Sequence, residues 1–221
     1  MTDTNNGGRK RQAKSWRWLV WPTVALAAVL AALAFPLALT TTVVPPPDPD
    51  QPVEVFLLDF GRTSGLVLPV NDGMAEYVYG DCNYYALGNR GVPDAIAAMI
   101  WPTRACMGRG SFPGPATREN LLRQIRVAVE RVYTVRVARA DVERLEARLH
   151  ALYVQGLPEA IEHRGYGLTF VPHPVDYHYF HNSNHVTAAW LADLGCRVRG
   201  PAVYSRWRIA DEPADPVQQM R

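Results

Sequence analysis

From Trp18 to Pro47 the chain carries no charged residue. Its apolar part, roughly Trp18–Leu39, has the length a helix needs to cross the hydrocarbon core of a bilayer, about 20 residues. A core helix of a soluble domain seldom runs this long without a polar face, so that reading is set aside. Residues 1–17 are polar and contain Arg9, Lys10, Arg11, Lys14 and Arg17. Trp16, Trp18 and Trp21 stand where this basic tail meets the apolar run, as interfacial aromatic residues do, and the basic side of a span stays in the cytoplasm. The sequence therefore predicts a single-pass cell-membrane protein with a cytoplasmic N-terminus and an extracytoplasmic C-terminal domain. Its expected partner is the bilayer itself. Ala32-Leu33-Ala34 resembles a signal-peptide cleavage site, but the run continues to Leu39, which favours a retained anchor. The remainder is exported on either reading.

Thr40–Pro52 (TTTVVPPPDPDQP) is proline-rich and lacks a hydrophobic period, so it reads as a stiff linker. The exported domain is expected over 53–209, with 210–221 as a loose tail. Residues 51–221 hold 18 Arg against 18 Asp plus Glu. A formally neutral domain argues against nucleic acid as a partner, because phosphate binding needs a net basic face. No pattern names an envelope ligand, a cofactor or a metal.

Val53–Phe60 and Gly65–Pro69 read as neighbouring strands across a polar turn at Arg62, Thr63 and Ser64, with Ala75–Gly80 as a third. Pro93–Trp101 has the marks of a short helix. Residues 108–116 (GRGSFPGPA) read as a loop, Thr117 as the cap of another helix and Val132–Val137 as a strand. Asp141–Tyr153 carries a Val142, Leu145, Leu149, Leu152 stripe with Glu143, Arg144, Glu146 and Arg148 opposite, the pattern of a surface helix. Leu168–Val171 and Tyr177–Phe180 are expected strands around a proline-rich turn, and Val203–Ile209 a last strand. Strands and helices mix without strict βαβ alternation, so the expected class is α+β with an antiparallel sheet.

The most informative stretch is Tyr177–Leu194. Its strand-like start runs into Asn182, Ser183 and Asn184, all good helix caps. Val186, Ala189, Trp190 and Leu194 then follow at helical spacing, with Gly195 where a C-cap glycine belongs. A helix N-terminus favours anions and activates a thiol, which is where papain-like enzymes keep their cysteine. Here Ser183 holds that place. As a nucleophile it would need a base, His181 or His185 being nearest in sequence; as a cap it needs none. His173, His178, His181 and His185 crowd thirteen residues, yet their spacing lacks a ligand pattern, so they read as structural or exposed rather than metal-binding. Cys82, Cys106 and Cys196 make an odd count. One disulfide and one free thiol is open, with no pair selected, and small buried hydrophobes are the plainer reading.

Three blocks resemble a family of bacterial envelope proteins sometimes labelled urease-region hypothetical proteins. Arg62, Thr63 and Ser64 followed by Gly65–Pro69 resemble its Trp-His-Thr-Gly run. Tyr79–Leu87 (YGDCNYYAL) with Trp101-Pro102-Thr103-Arg104 resembles its second block. His181–Ala188 (HNSNHVTA) resembles its Asn-Thr-Cys-Asn-x-Trp-Thr-Ala block. The resemblance implies a papain-like domain of circularly permuted NlpC type. It also aligns Thr63 with the family's histidine base and Ser183 with its cysteine nucleophile. Threonine is no base near neutral pH, and serine is a poor nucleophile without one. The expectation is therefore a papain-like scaffold without its catalytic pair, serving as a binding or structural module. The alternative is a hydrolase or acyltransferase built on Ser183 and a local histidine.

Overall fold

The computed structural model describes residues 20–26, 40–86 and 101–210. The chain divides into two units, 1–39 and 40–221. In the first, 20–26 is helical and exposed, with Thr23 Oγ1 donating to the Val20 carbonyl at 2.9 Å. Among the described residues no helix is long and apolar enough to cross a membrane. Most of the expected span, 27–39 included, lies outside the described residues.

The second unit is α+β, built on a large antiparallel sheet. Its strands are β2 (Pro52–Asp59), β3 (Ser64–Val70), β4 (Gly73–Asp81), β5 (Ala105–Pro113), β6 (Arg131–Ala138), β7 (Ile161–His163) and β8 (Leu168–Pro172). They lie in the order β6-β2-β3-β4-β5-β8-β7, every pair antiparallel. The helices are α1 (Cys82–Tyr85), α2 (Arg118–Gln124), α3 (Arg139–Gly156) and α4 (Ser183–Asp193). One sheet face packs Val55, Leu57, Leu66, Leu68, Tyr77 and Met107 against Val142, Leu145 and Leu149 of α3 and Val186, Trp190 and Leu191 of α4. The opposite face packs Phe56, Leu58, Val67, Met74 and Phe112 with Leu121 of α2. Burial on both faces explains why β2 reads as an unbroken apolar run rather than an alternating one.

The stripe expected on 141–153 holds: Val142, Leu145 and Leu149 are buried and Leu152 packs against the same core. Thr117 caps α2 by accepting from the Asn120 amide at 3.2 Å. Four expectations are corrected. Residues 41–44, placed in a linker, form β1 (Thr41–Val44), the central strand of a small sheet ordered β10-β1-β9. Its flanks are β9 (Arg197–Arg199), antiparallel, and β10 (Trp207–Ile209), parallel. The strand inside the proline-rich stretch is only four residues long, too short to show a period.

Most of the predicted 108–116 loop belongs to β5. Its glycines serve packing rather than turning: a Cβ on Gly108 would lie 2.7 Å from the Phe170 ring and from Val78. Tyr177–Phe180 is no strand; Tyr177 bridges Thr103, and His178 bridges His181 around a tight turn. The last strand shrinks to Trp207–Ile209, and residues 200–206 become an irregular strap. The helix expected at Pro93–Trp101 lies, but for its last residue, outside the described residues.

Cys82 and Cys106 form a disulfide, with Cα atoms 5.0 Å apart. Cys196 is free and buried, and burial pushes its thiol up to about 12. Glu76 projects from β4 between Val67 of β3 and Gly110 of β5, on the face of Met74 and Val78. It is only 6% exposed, and burial pushes its carboxyl up to about 7.

Candidate functional site

The N-terminus of α4 is capped by Asn182, one residue before Ser183. Asn182 Oδ1 accepts from the Asn184 amide at 3.0 Å and the His185 amide at 3.2 Å. Its Nδ2 donates to the Tyr179 and Val203 carbonyls at 3.2 and 2.9 Å. The amide side chain is thus filled on both ends, and two of the orphan N–H groups of the first turn are satisfied from within.

Ser183 opens the helix with 1% of its surface exposed. Its hydroxyl is buried and has no hydrogen-bond partner among the described residues; His181 Nε2 is in the same condition. The two imidazoles nearest in sequence therefore do not serve Ser183. His185 Nδ1 lies 3.0 Å from Asn182 Oδ1, and its ring also engages the Pro201 carbonyl. His181 stacks edge-on to Tyr79 at 5.4 Å between centroids and lies 5.9 Å from His178. Burial, then the neighbouring His178, holds the His181 ring below the usual histidine range. Burial likewise lowers His185, with His181 and His178 adding to it.

Thr63, half-buried, is occupied elsewhere. Its hydroxyl hydrogen-bonds the Tyr85 phenol, and its carbonyl accepts from Phe60 N at 2.9 Å and Ser205 Oγ at 3.0 Å. Thr63 and Ser183 make no hydrogen bond to each other. The two blocks meet one residue further on in each. Ser64 Oγ donates to Asn184 Oδ1 at 2.9 Å, and Asn184 Nδ2 donates to the Arg62 and Val203 carbonyls at 3.0 and 3.1 Å. Thr187 Oγ1 adds a bond to the Ser64 carbonyl at 3.4 Å. Ser64, Asn184 and Thr187 are each at most 1% exposed. This is a closed polar network, and none of its members is a base near neutral pH.

The strap, residues 200–206, seals it. Val203 presents its carbonyl to both asparagines, Ser205 Oγ donates to Asp59 Oδ1, and Tyr204 hydrogen-bonds Tyr179. Ala202 N donates to Thr41 Oγ1 at 3.0 Å with its backbone at φ +46°, a left-handed conformation at a non-glycine residue. Beside the strap, Tyr79 packs against His173 at 4.9 Å and Tyr177 at 6.1 Å and donates its hydroxyl to the Val175 carbonyl at 3.0 Å. Asp81, from the second block, caps α1 through Tyr84 N at 2.8 Å and accepts from the Thr103 hydroxyl. It ties the block's two halves across the segment between them.

Ser64, Asp81 and Ser205 were not singled out from the sequence. Asp81 carried a signal, an Asx cap before an aromatic turn; Ser205 carried none, since its partners Asp59 and Thr63 lie more than 140 residues away. Among the described residues no group of three or more His, Cys, Asp or Glu side chains is placed to hold a metal ion. Compared with known proteins, the chain matches no family model, no curated protein and no solved structure.

Proposed function

We propose that this is a single-pass membrane protein whose exported domain is a papain-like module of permuted NlpC type that has exchanged catalysis for a binding or structural role in the cell envelope. One observation carries the reading. Where the family resemblance puts a histidine base and a cysteine nucleophile, the first and last blocks are joined by the Ser64–Asn184 bond, and the Ser183 hydroxyl is buried without a base. An alcohol needs a hydrogen-bonded base to become a nucleophile, and a helix dipole does not substitute for one. The Cys82–Cys106 disulfide fits an exported domain, since such bonds persist in oxidising compartments. The uncharged run at 18–39, beside the basic tail, supplies the anchor.

The test has two arms. Cysteines introduced on the exposed surface of the domain should react with impermeant maleimide in intact cells; protection until lysis would reverse the topology. Fluorophosphonate probes should leave residue 183 unlabelled in the folded protein. Stoichiometric labelling, lost on Ser183→Ala and on replacing His181 or His185, would instead establish a serine hydrolase.

A further inference from the structure

The outward face of the small sheet is built from arginines. Arg197 and Arg199 stand on β9, Arg208 on β10 and Arg206 just before it, all four exposed. Strand register gathers them. Thr42 of the central strand pairs with Arg199 on one side and Arg208 on the other, and Val44 pairs with Arg197. Directly paired residues share a face. Val43, Trp207 and Ile209 take the inward positions and are buried. Arg199 and Arg208 thus lie two strand spacings apart, about 10 Å. Among the described residues none of the four arginines is in an ion pair. Asp141, beside Gly195, and Asp193, at the end of α4, pair instead with Arg144 and Arg148. A domain that is neutral as a whole therefore carries a locally cationic sheet face.

The route of the chain supplies the partner. β1 begins at Thr41, and the apolar run ends at Leu39. Two residues extend at most about 7 Å, so a strand starting there stays within reach of the headgroups of any bilayer that the run spans. We infer that Arg197, Arg199, Arg206 and Arg208 form a docking face for anionic lipid headgroups of the membrane that anchors the chain. This rests on the anchored reading above. Guanidinium groups suit phosphate because their fork can donate two parallel hydrogen bonds. A basic patch beside an anionic bilayer gains from each added charge.

The test uses the full chain in nanodiscs of pure phosphatidylcholine or of phosphatidylcholine with phosphatidylglycerol. Arginines are modified with phenylglyoxal and read by mass spectrometry. Arg197, Arg199, Arg206 and Arg208 should be protected severalfold in the anionic discs, while Arg136 and Arg164, exposed elsewhere, react equally in both. Each of the four replaced by Gln should weaken docking about fivefold, and Lys should restore most of it. Incorporation into discs with equal modification in both lipids would overturn the docking face alone. Failure of the full chain to enter discs would overturn the anchor, and the docking with it. Protection independent of lipid charge would assign the face to a contact within the protein, and protection only on adding heparin to an acidic envelope polymer; each overturns the proposal.

Discussion

Ser64 and Asn184 stand 120 residues apart in sequence and share one buried hydrogen bond, 2.9 Å from hydroxyl to amide oxygen. That bond fastens the turn before β3 to the first turn of α4, and Asn184 extends the joint to Arg62 and Val203. Asn184→Ala should strip three partners at once and cost about 2–3 kcal/mol, because buried groups left unpaired lose their hydration without compensation. Denaturant unfolding of Asn184→Ala, Ser64→Ala and the double variant checks this. The double variant should lose less than the sum of the singles, as expected for groups in contact.

Ser183 should behave in the opposite way. Its hydroxyl is buried without a partner, so Ser183→Ala removes a desolvated group and leaves stability unchanged or raised by up to about 1–2 kcal/mol. A loss above 1 kcal/mol in the same unfolding assay would show that the hydroxyl has a partner after all.

Leu149 faces the sheet from the middle of α3 and is 1% exposed. Leu149→Ala should cost about 2–5 kcal/mol, the range for a leucine truncated inside a packed core. An unchanged melting temperature would put the helix on its other face.

Removing the Cys82–Cys106 bridge by a double Ala substitution should cost about 3 kcal/mol, mostly by freeing the unfolded chain. Alkylation after denaturation without reductant should modify Cys196 alone. Modification of three thiols would mean that the bridge is not formed.

Glu76 makes stability depend on pH. Its folded pKa, about 7, lies above the unfolded value of 4.5, so the folded state binds the proton more tightly. The contribution is fully present below pH 4.5 and is lost as pH rises through 7, a swing of about 3 kcal/mol. His173, His181 and His185 are depressed by burial and act in the other sense, losing stability as pH falls below the usual histidine range. The difference between the wild type and Glu76→Gln isolates the carboxyl. Unfolding free energies measured from pH 4 to pH 8 should diverge across that window, the wild type losing about 3 kcal/mol relative to the Gln variant as pH rises.

What the sequence disclosed was local. The α3 stripe, the start of α4 and the apolar strands were legible because each is written in residues a few positions apart. The Thr117 cap was legible for the same reason. Thr41–Val44 was not, because its partners are Arg197–Arg199 and Trp207–Ile209, and its own composition is that of an extended spacer. Gly108 and Gly110 suggested a loop, though their small size makes room for Phe170, Val78 and Leu168 inside a sheet. At the site, Asn182, Ser183 and Asn184 were equally good caps on paper, and the cap is Asn182. Which of them faces the Val203 carbonyl is set by the strap, and no local pattern foretells its course. Thr63 and Ser183 were singled out by alignment with a dyad, but the contact falls one residue later, on Ser64 and Asn184.

The strand pairing of β1 also fixes an order in time. A chain made from its N-terminus releases Thr41–Val44 early, yet both partners of that strand come from residues 197–209. The bond from Ala202 to Thr41 closes a separation of 161 residues. The large sheet can pair largely between neighbours as it emerges, but the small one waits for nearly the last residues of the domain. Such distant closure is slow. Until it happens β1 at the beginning of the domain lacks its partners, and a truncation before Arg197 would leave it so permanently.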